Sequence, residues 1–150
     1  MNMTMTVAAG AIALTMMLNT TQAAEQKTVK LGLSPAYAPF ESKTPDGKLV
    51  GFDIDIGNEV CKRIQANCVW VEMSFDGLIP ALLSKKIDII NSSMNITEKR
   101  QKSITFTNPV YIMPIQLVTR KNSGLLPTVE SLKGKSVGVQ QGTTQEDYAK

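Results

Sequence analysis

The sequence predicts an α/β fold with a largely parallel sheet, and three observations carry that prediction. β-type apolar runs alternate with helical stretches in the order strand, helix, strand, helix, strand from Thr28 to Ile90. The segment from Ile87 to Ile90 reads as a strand buried on both faces, the kind found inside parallel sheets. Two polar stretches, Asn91 to Arg100 and Gln140 to Thr144, directly follow strands, where α/β folds place ligands.

The elements follow in order. Thr28 to Leu33 reads as a short strand that breaks at Ser34-Pro35. Pro39 marks a loop, and Pro45-Asp46-Gly47 has the composition of a tight turn. From Gly51-Phe52-Asp53-Ile54-Asp55-Ile56 a helix runs through Ile64, with Asp53 and Asp55 near its positive end. Val69 to Met73 is rich in β-formers. Ser74 to Ser84 reads as a second helix, capped by Ser74 or Asp76, with Pro80 in an early turn. After the Ile87 to Ile90 strand, Thr97 to Gln101 begins a short polar helix and Ile104-Thr105-Phe106-Thr107 alternates. Tyr111 to Thr119 is a long β-type stretch, Val129 to Lys133 a short helix, and Ser136 to Gln140 a further strand. No internal repeat or low-complexity tract interrupts the pattern.

Residues 1–23 read as an export signal. There is no charged side chain from Met1 to Ala24, and Val7 to Leu18 is almost continuously apolar. That run of about 12 residues is too short to span a bilayer at about 1.5 Å per residue. Thr21 and Ala23 are the small residues that a signal peptidase reads, which places cleavage after Ala23. The segment departs from the usual pattern in having no Lys or Arg at its start. An N-terminal core helix is the competing reading, although it would be apolar all round.

Export puts the cysteines in an oxidising compartment. On one unbroken helix Cys61 and Cys68 would have Cα atoms about 10 Å apart, too far for a bridge. A disulfide therefore requires the helix to end between them, which Gln65-Ala66-Asn67 allows, with Asn67 in the left-handed conformation. Two buried free thiols are the alternative.

Composition excludes other chemistries. The chain of 150 residues has no histidine, two cysteines and a formal net charge of +3. Histidine-based triads and metal sites are therefore absent, and two cysteines are too few for an all-cysteine zinc site. Basic residues are dispersed apart from pairs such as Lys62-Arg63, Lys85-Lys86 and Lys99-Arg100, so nucleic acid is not an expected partner. No cofactor is expected.

Asn91-Ser92-Ser93-Met94-Asn95-Ile96-Thr97-Glu98-Lys99-Arg100 offers polar side chains and free amides at a strand's carboxyl end. Gln140-Gln141-Gly142-Thr143-Thr144 does the same, with a glycine that lets backbone approach a ligand closely. On spacing alone each is equally a capped turn. The second is no phosphate loop, because no second glycine and no lysine follow in frame.

Several motifs occur together: Ala36-Tyr37-Ala38-Pro39-Phe40-Glu41-Ser42-Lys43, Gly51 to Ile56 followed by Val60-Cys61 and Ile64, Phe75-Asp76-Gly77-Leu78-Ile79-Pro80, Ser92 to Thr97, and Leu132-Lys133-Gly134-Lys135 before Val137-Gly138-Val139. With these, the chain from Val29 onward resembles the polar amino-acid family of periplasmic solute-binding proteins (family 3). Thr128 to Lys135 and the cysteine spacing bring it nearest to histidine- and lysine/arginine/ornithine-binding members. The resemblance implies a periplasmic-binding-protein type II-like fold of two α/β lobes closing on a ligand. Residues 24–112 would form lobe one, incomplete without a C-terminal return, and residues 113–150 would begin lobe two. It also implies periplasmic location, an inner-membrane ABC permease complex as partner, a monomer at full length and a polar, basic amino acid as ligand.

Residue by residue, the resemblance implies that Arg100 grips the ligand α-carboxylate, a task suited to a guanidinium fork. Thr144 would join it. Ser92 and Ser93 would help bind the α-ammonium through carbonyl and hydroxyl, and Tyr37 and Phe75 would sandwich the ligand side chain. Without the resemblance, Tyr37 and Phe75 read as core packing and Arg100 as a solvated charge. Asp53 and Asp55 are assigned to structure.

The chain departs from the family in three places. Ser34 replaces the aspartate that in lysine/arginine/ornithine binders helps hold the distal cation. Asn95 stands where many relatives have serine. The aspartate that pairs with the α-ammonium would lie beyond Lys150, so the chain is expected to be a fragment with unpaired sheet edges. A prephenate- or arogenate-type dehydratase on the same scaffold and a receptor's sensing module are the competing functions. The first would need a general acid that the cleft lacks, the second a membrane or signalling segment.

Overall fold

The computed structural model describes residues 27–150, so the export signal assigned to residues 1–23 lies outside the described residues. Strand β1 (Thr28–Leu33) alternates exposed and buried residues and then becomes continuously buried toward its carboxyl end. It is the middle strand of a parallel sheet, between β4 (Asn67–Glu72) and β5 (Ile89–Ile90). Thr28 lies opposite Asn67 and Leu33 opposite Glu72, while Leu31 and Gly32 lie opposite Ile89 and Ile90. Between β1 and β4 the chain makes a small antiparallel ribbon, β2 (Ser42–Lys43) with β3 (Leu49–Val50), closed by the Pro45 to Gly47 turn.

Helix α1 (Phe52–Arg63) starts at Gly51, whose φ of +128° and lack of a Cβ are both required. A Cβ there would sit 2.3 Å from the carbonyl oxygen of Phe40. Asp53 and Asp55 occupy the first turn and Lys62 and Arg63 the last, both matched to the helix dipole. The helix ends at Ile64. The left-handed residue after it is Gln65, at φ +53°, and not the expected Asn67, whose amide instead bonds the carbonyl of Lys27 to start β4. This reversal brings the Cα atoms of Cys61 and Cys68 to 6.0 Å, and the two form a disulfide. Val29, Leu31 and Cys61 form one core cluster, against which Ala66, Cys68 and Trp70 pack.

The predicted Ser74 to Ser84 helix is split. A 3-10 turn, Phe75–Gly77, precedes α2 (Leu78–Leu83), and the Ser74 side chain makes no capping bond. Phe75, Leu78, Ala81 and Ile87 form the second core cluster. Ile87 is buried there, but the strand predicted from Ile87 to Ile90 reduces to Ile89–Ile90. The Asp88 carboxylate takes the amide of Lys30 at 2.8 Å, which replaces a ladder bond with a side-chain bond. Ile89 is 41% exposed, so burial on both faces does not hold there.

Three short helices follow: α3 (Glu98–Gln101), α4 (Val129–Leu132) and α5 (Thr144–Ala149). The hydroxyls of Thr97, Thr128 and Thr143 accept amides of their first turns. The β-type stretch at Tyr111 to Thr119 and the strand expected at Ser136 to Gln140 do not form strands among the described residues, nor does the alternating Ile104 to Thr107. β-propensity is realised only against a pairing neighbour, and here Ile112 and Val118 stand 92% and 90% exposed.

Candidate functional site

The parallel strands β1 and β5 deliver two loops, Ser34 to Glu41 and Asn91 to Thr97, to the same end of the sheet. They are tied by a buried relay. The Ser34 amide donates to Ser92 Oγ at 3.0 Å, and Ser92 Oγ donates to Glu41 Oε1 at 2.6 Å. Ser34, Ser92 and Glu41 are all buried, Glu41 to 1% exposure. Burial pushes the Glu41 carboxyl up to about 7; the Ser92 bond opposes this, the Asp53 charge adds to it, and the Ser34 amide opposes it.

A second relay fixes Ser93. Asp53 Oδ2 accepts both its amide and its hydroxyl, each at 2.7 Å. The Tyr111 hydroxyl lies 2.6 Å from Ser93 Oγ and 3.4 Å from Asp53 Oδ1. Burial raises the Tyr111 phenol above its ordinary value. These bonds hold Ser93 at φ +40°, a conformation that costs energy for a residue with a Cβ. Both serine hydroxyls are therefore engaged inward, by Glu41 and by Asp53. Each hydroxyl thereby ties its loop to an acid from another element.

Arg100, at the end of the same loop, is partly buried. Nη1 donates to the Asn95 carbonyl at 2.7 Å and Nη2 to the Gly142 carbonyl at 2.9 Å. Its guanidinium carbon lies 5.6 Å from the centroid of the Phe75 ring, within cation–π range. Burial lowers its pKa, with Asp147 pulling the other way, and an arginine remains cationic throughout.

The Gln140 to Thr144 segment meets this end of the sheet at two further points. Gln140 Nε2 reaches Ser34 Oγ at 3.4 Å. Gly142 has φ +78° and lies so close to Asp76 that a Cβ would come within 2.9 Å of its Cα. Thr144, the first residue of α5, is half-buried and donates to Gln145 Oε1 at 3.2 Å. Tyr37 is 39% exposed and stacks on Phe40 at 5.4 Å, in a row that continues to Tyr111.

The structure thus gathers Ser34, Phe75, Ser92, Ser93, Asn95 and Arg100 at one end of the sheet, with the loop before Thr144 bonded to them. Sequence reasoning missed Glu41 and Tyr111 and gave Asp53 only a helix-start role. Glu41 carried a signal, as a lone acid beside Pro39-Phe40, but nothing local names Ser92 as its partner. A separate groove of about 590 Å³ runs between Asp88 to Ile96 and Ile104 to Met113. Of the predicted residues only Ser92, Ser93 and Asn95 line it, and it flanks the open side of β5. Among the described residues no group of carboxylates or cysteines could hold a metal ion.

The mixed helix-and-strand fold is that of the type II two-lobe periplasmic binding proteins, of which the chain covers part. The chain belongs to the bacterial extracellular solute-binding proteins, family 3, whose model matches residues 29–146. It is 57% identical over 126 residues to the histidine-binding periplasmic protein of Escherichia coli (strain K12), covering 84% of this chain and 48% of that one. To the lysine/arginine/ornithine-binding periplasmic protein of the same strain it is 54% identical over 127 residues, covering 85% and 49%. The chain spans about half the length of these curated relatives. Among solved structures, an ancestral arginine-binding protein bound to arginine matches with a TM-score of 0.74 and 37% identity, over 83% of this chain and 55% of that one. The arginine-bound form of domain 1 from TmArgBP matches with a TM-score of 0.54 and 46% identity, over 55% and 65%.

Proposed function

We propose that this chain belongs to the periplasmic substrate-binding component of an ABC amino-acid importer, with a basic amino acid (arginine, lysine, ornithine or histidine) as ligand. The observation that carries the reading is Arg100, a partly buried guanidinium held by the Asn95 and Gly142 carbonyls over Phe75. In this reading Arg100 takes the ligand carboxylate, with Thr144 beside it. Ser92 and Ser93 help bind the α-ammonium through carbonyl and hydroxyl, and Asn95 shapes the carboxylate side. Tyr37 and Phe75 flank the side chain, and Ser34 lies toward its distal end. Residues 24–112 belong to lobe one and 113–150 to lobe two. The mature protein acts after cleavage at Ala23, as a monomer at full length, delivering ligand to an inner-membrane permease; it performs no catalysis.

The experiment is isothermal titration of the purified 150-residue chain with each amino acid. The arginine-bound domain 1 of a relative supports binding by lobe-one residues, whereas the apolar side chains left exposed here argue for weakened affinity. Saturable binding of basic amino acids over glutamate and leucine is the expected result. Equal or absent response to all of them counts against the reading.

A further inference from the structure

Among the described residues no cation pairs with Glu41. Its own loop offers the Ser34 amide, the β5 loop offers the uncharged Ser92 hydroxyl, α1 offers the acid Asp53, and the segment after Asn108 offers the phenol of Tyr111. Its Oε2 is buried without a hydrogen-bond partner among the described residues. None of the ion pairs among those residues includes it. A buried carboxyl in such surroundings resists ionisation, and an arriving positive charge shifts it toward the charged form. The two residues between it and the loop ends, Ser34 and Ser92, are those where a bound amino acid would bring its cationic groups.

We propose that Glu41 is the buried counter-charge of the amino-acid site, a positioning residue that ionises when a cationic ligand binds and gives its proton to solvent. This rests on the function proposed above. The linkage has a definite sign. In the free protein the carboxyl titrates at about 7, and a nearby ligand cation favours the charged form and lowers that value. Affinity therefore rises with pH through neutrality. A lowering by about one unit gives about sevenfold tighter binding at pH 8 than at pH 5.5, and releases about 0.4 proton at pH 7.

The test is titration calorimetry of arginine, lysine, ornithine and histidine into the protein and into Glu41→Gln, in buffers of different ionisation enthalpy. Proton release and a rise in affinity with pH in the wild type, both lost in Glu41→Gln, support the proposal. Binding with the same proton count in both proteins overturns it and leaves the functional reading standing. Binding of none of the four removes both. If Glu41→Gln does not fold, carboxyl-carbon NMR of the wild type decides: the midpoint of the buried carboxyl must fall on adding arginine, and an unmoved midpoint overturns the proposal.

Discussion

Replacing Arg100 with lysine tests the anchor by counting donors. An arginine carries five N–H groups, and two are already spent on the Asn95 and Gly142 carbonyls. Three remain, enough to present a parallel pair to a carboxylate. A lysine ammonium has three N–H groups in all. If it keeps both carbonyls, one remains, and the fork onto the ligand is reduced to a single bond. The loss of one charge-assisted hydrogen bond corresponds to about 1.5–3 kcal/mol. That is about 10- to 150-fold in Kd, and because the α-carboxylate is common to all amino acids the factor should be similar for each ligand. Isothermal titration of Arg100→Lys with arginine, lysine and histidine reads it directly. Unchanged affinity, or loss confined to one ligand, would show that Arg100 does not hold the carboxylate.

Two further substitutions probe the neighbouring chemistry. Ser34→Asp puts a second carboxyl beside the buried Ser92–Glu41 relay. It should lower the melting temperature of the free protein while raising lysine affinity over glutamine affinity, by about tenfold for a worth of about 1.4 kcal/mol. Paired titrations of the two ligands check this, and an unchanged lysine-to-glutamine ratio would place the ligand's distal group elsewhere. Replacing both Cys61 and Cys68 by alanine opens a short covalent loop, and the chain-entropy account gives a loss of about 2–3 kcal/mol. Urea melts of the variant and the wild type measure it; equal midpoints would mean that the reversal at Gln65 holds without the bond.

What the sequence made legible was whatever is decided locally. Thr28 to Leu33 announces β1 by alternation and a Ser34-Pro35 stop. α1 is readable from Gly51 and the charges at its two ends, and the disulfide from the break after Ile64. The element types failed where a distant partner decides the outcome. Tyr111 to Thr119 has the composition of a strand, yet no neighbour among the described residues pairs with it, and Val118 stays exposed. Ile87 was read as a strand residue although it is held by Phe75, Leu78 and Ala81. The site divides in the same way. The polar stretch holding Arg100 and the two serines was visible after a strand, with their roles supplied only by the family resemblance, whereas the Ser92 bond to Glu41 crosses 51 positions of sequence. No window along the chain contains both ends of that contact.

The grip of Arg100 on the Asn95 and Gly142 carbonyls separates anchoring from selectivity. Both acceptors are main-chain atoms, so the side chain at 95 can change while the guanidinium keeps its aim. Position 142 is held to glycine by the nearness of Asp76 and by its φ, and not by the hydrogen bond itself. On the proposed reading, a residue placed toward the ligand's distal end, such as 34, can be exchanged without realigning the guanidinium that takes the carboxylate. New ligand preferences then lie a few substitutions apart on an unchanged frame, and the positions to vary are the ones whose side chains the anchor does not use.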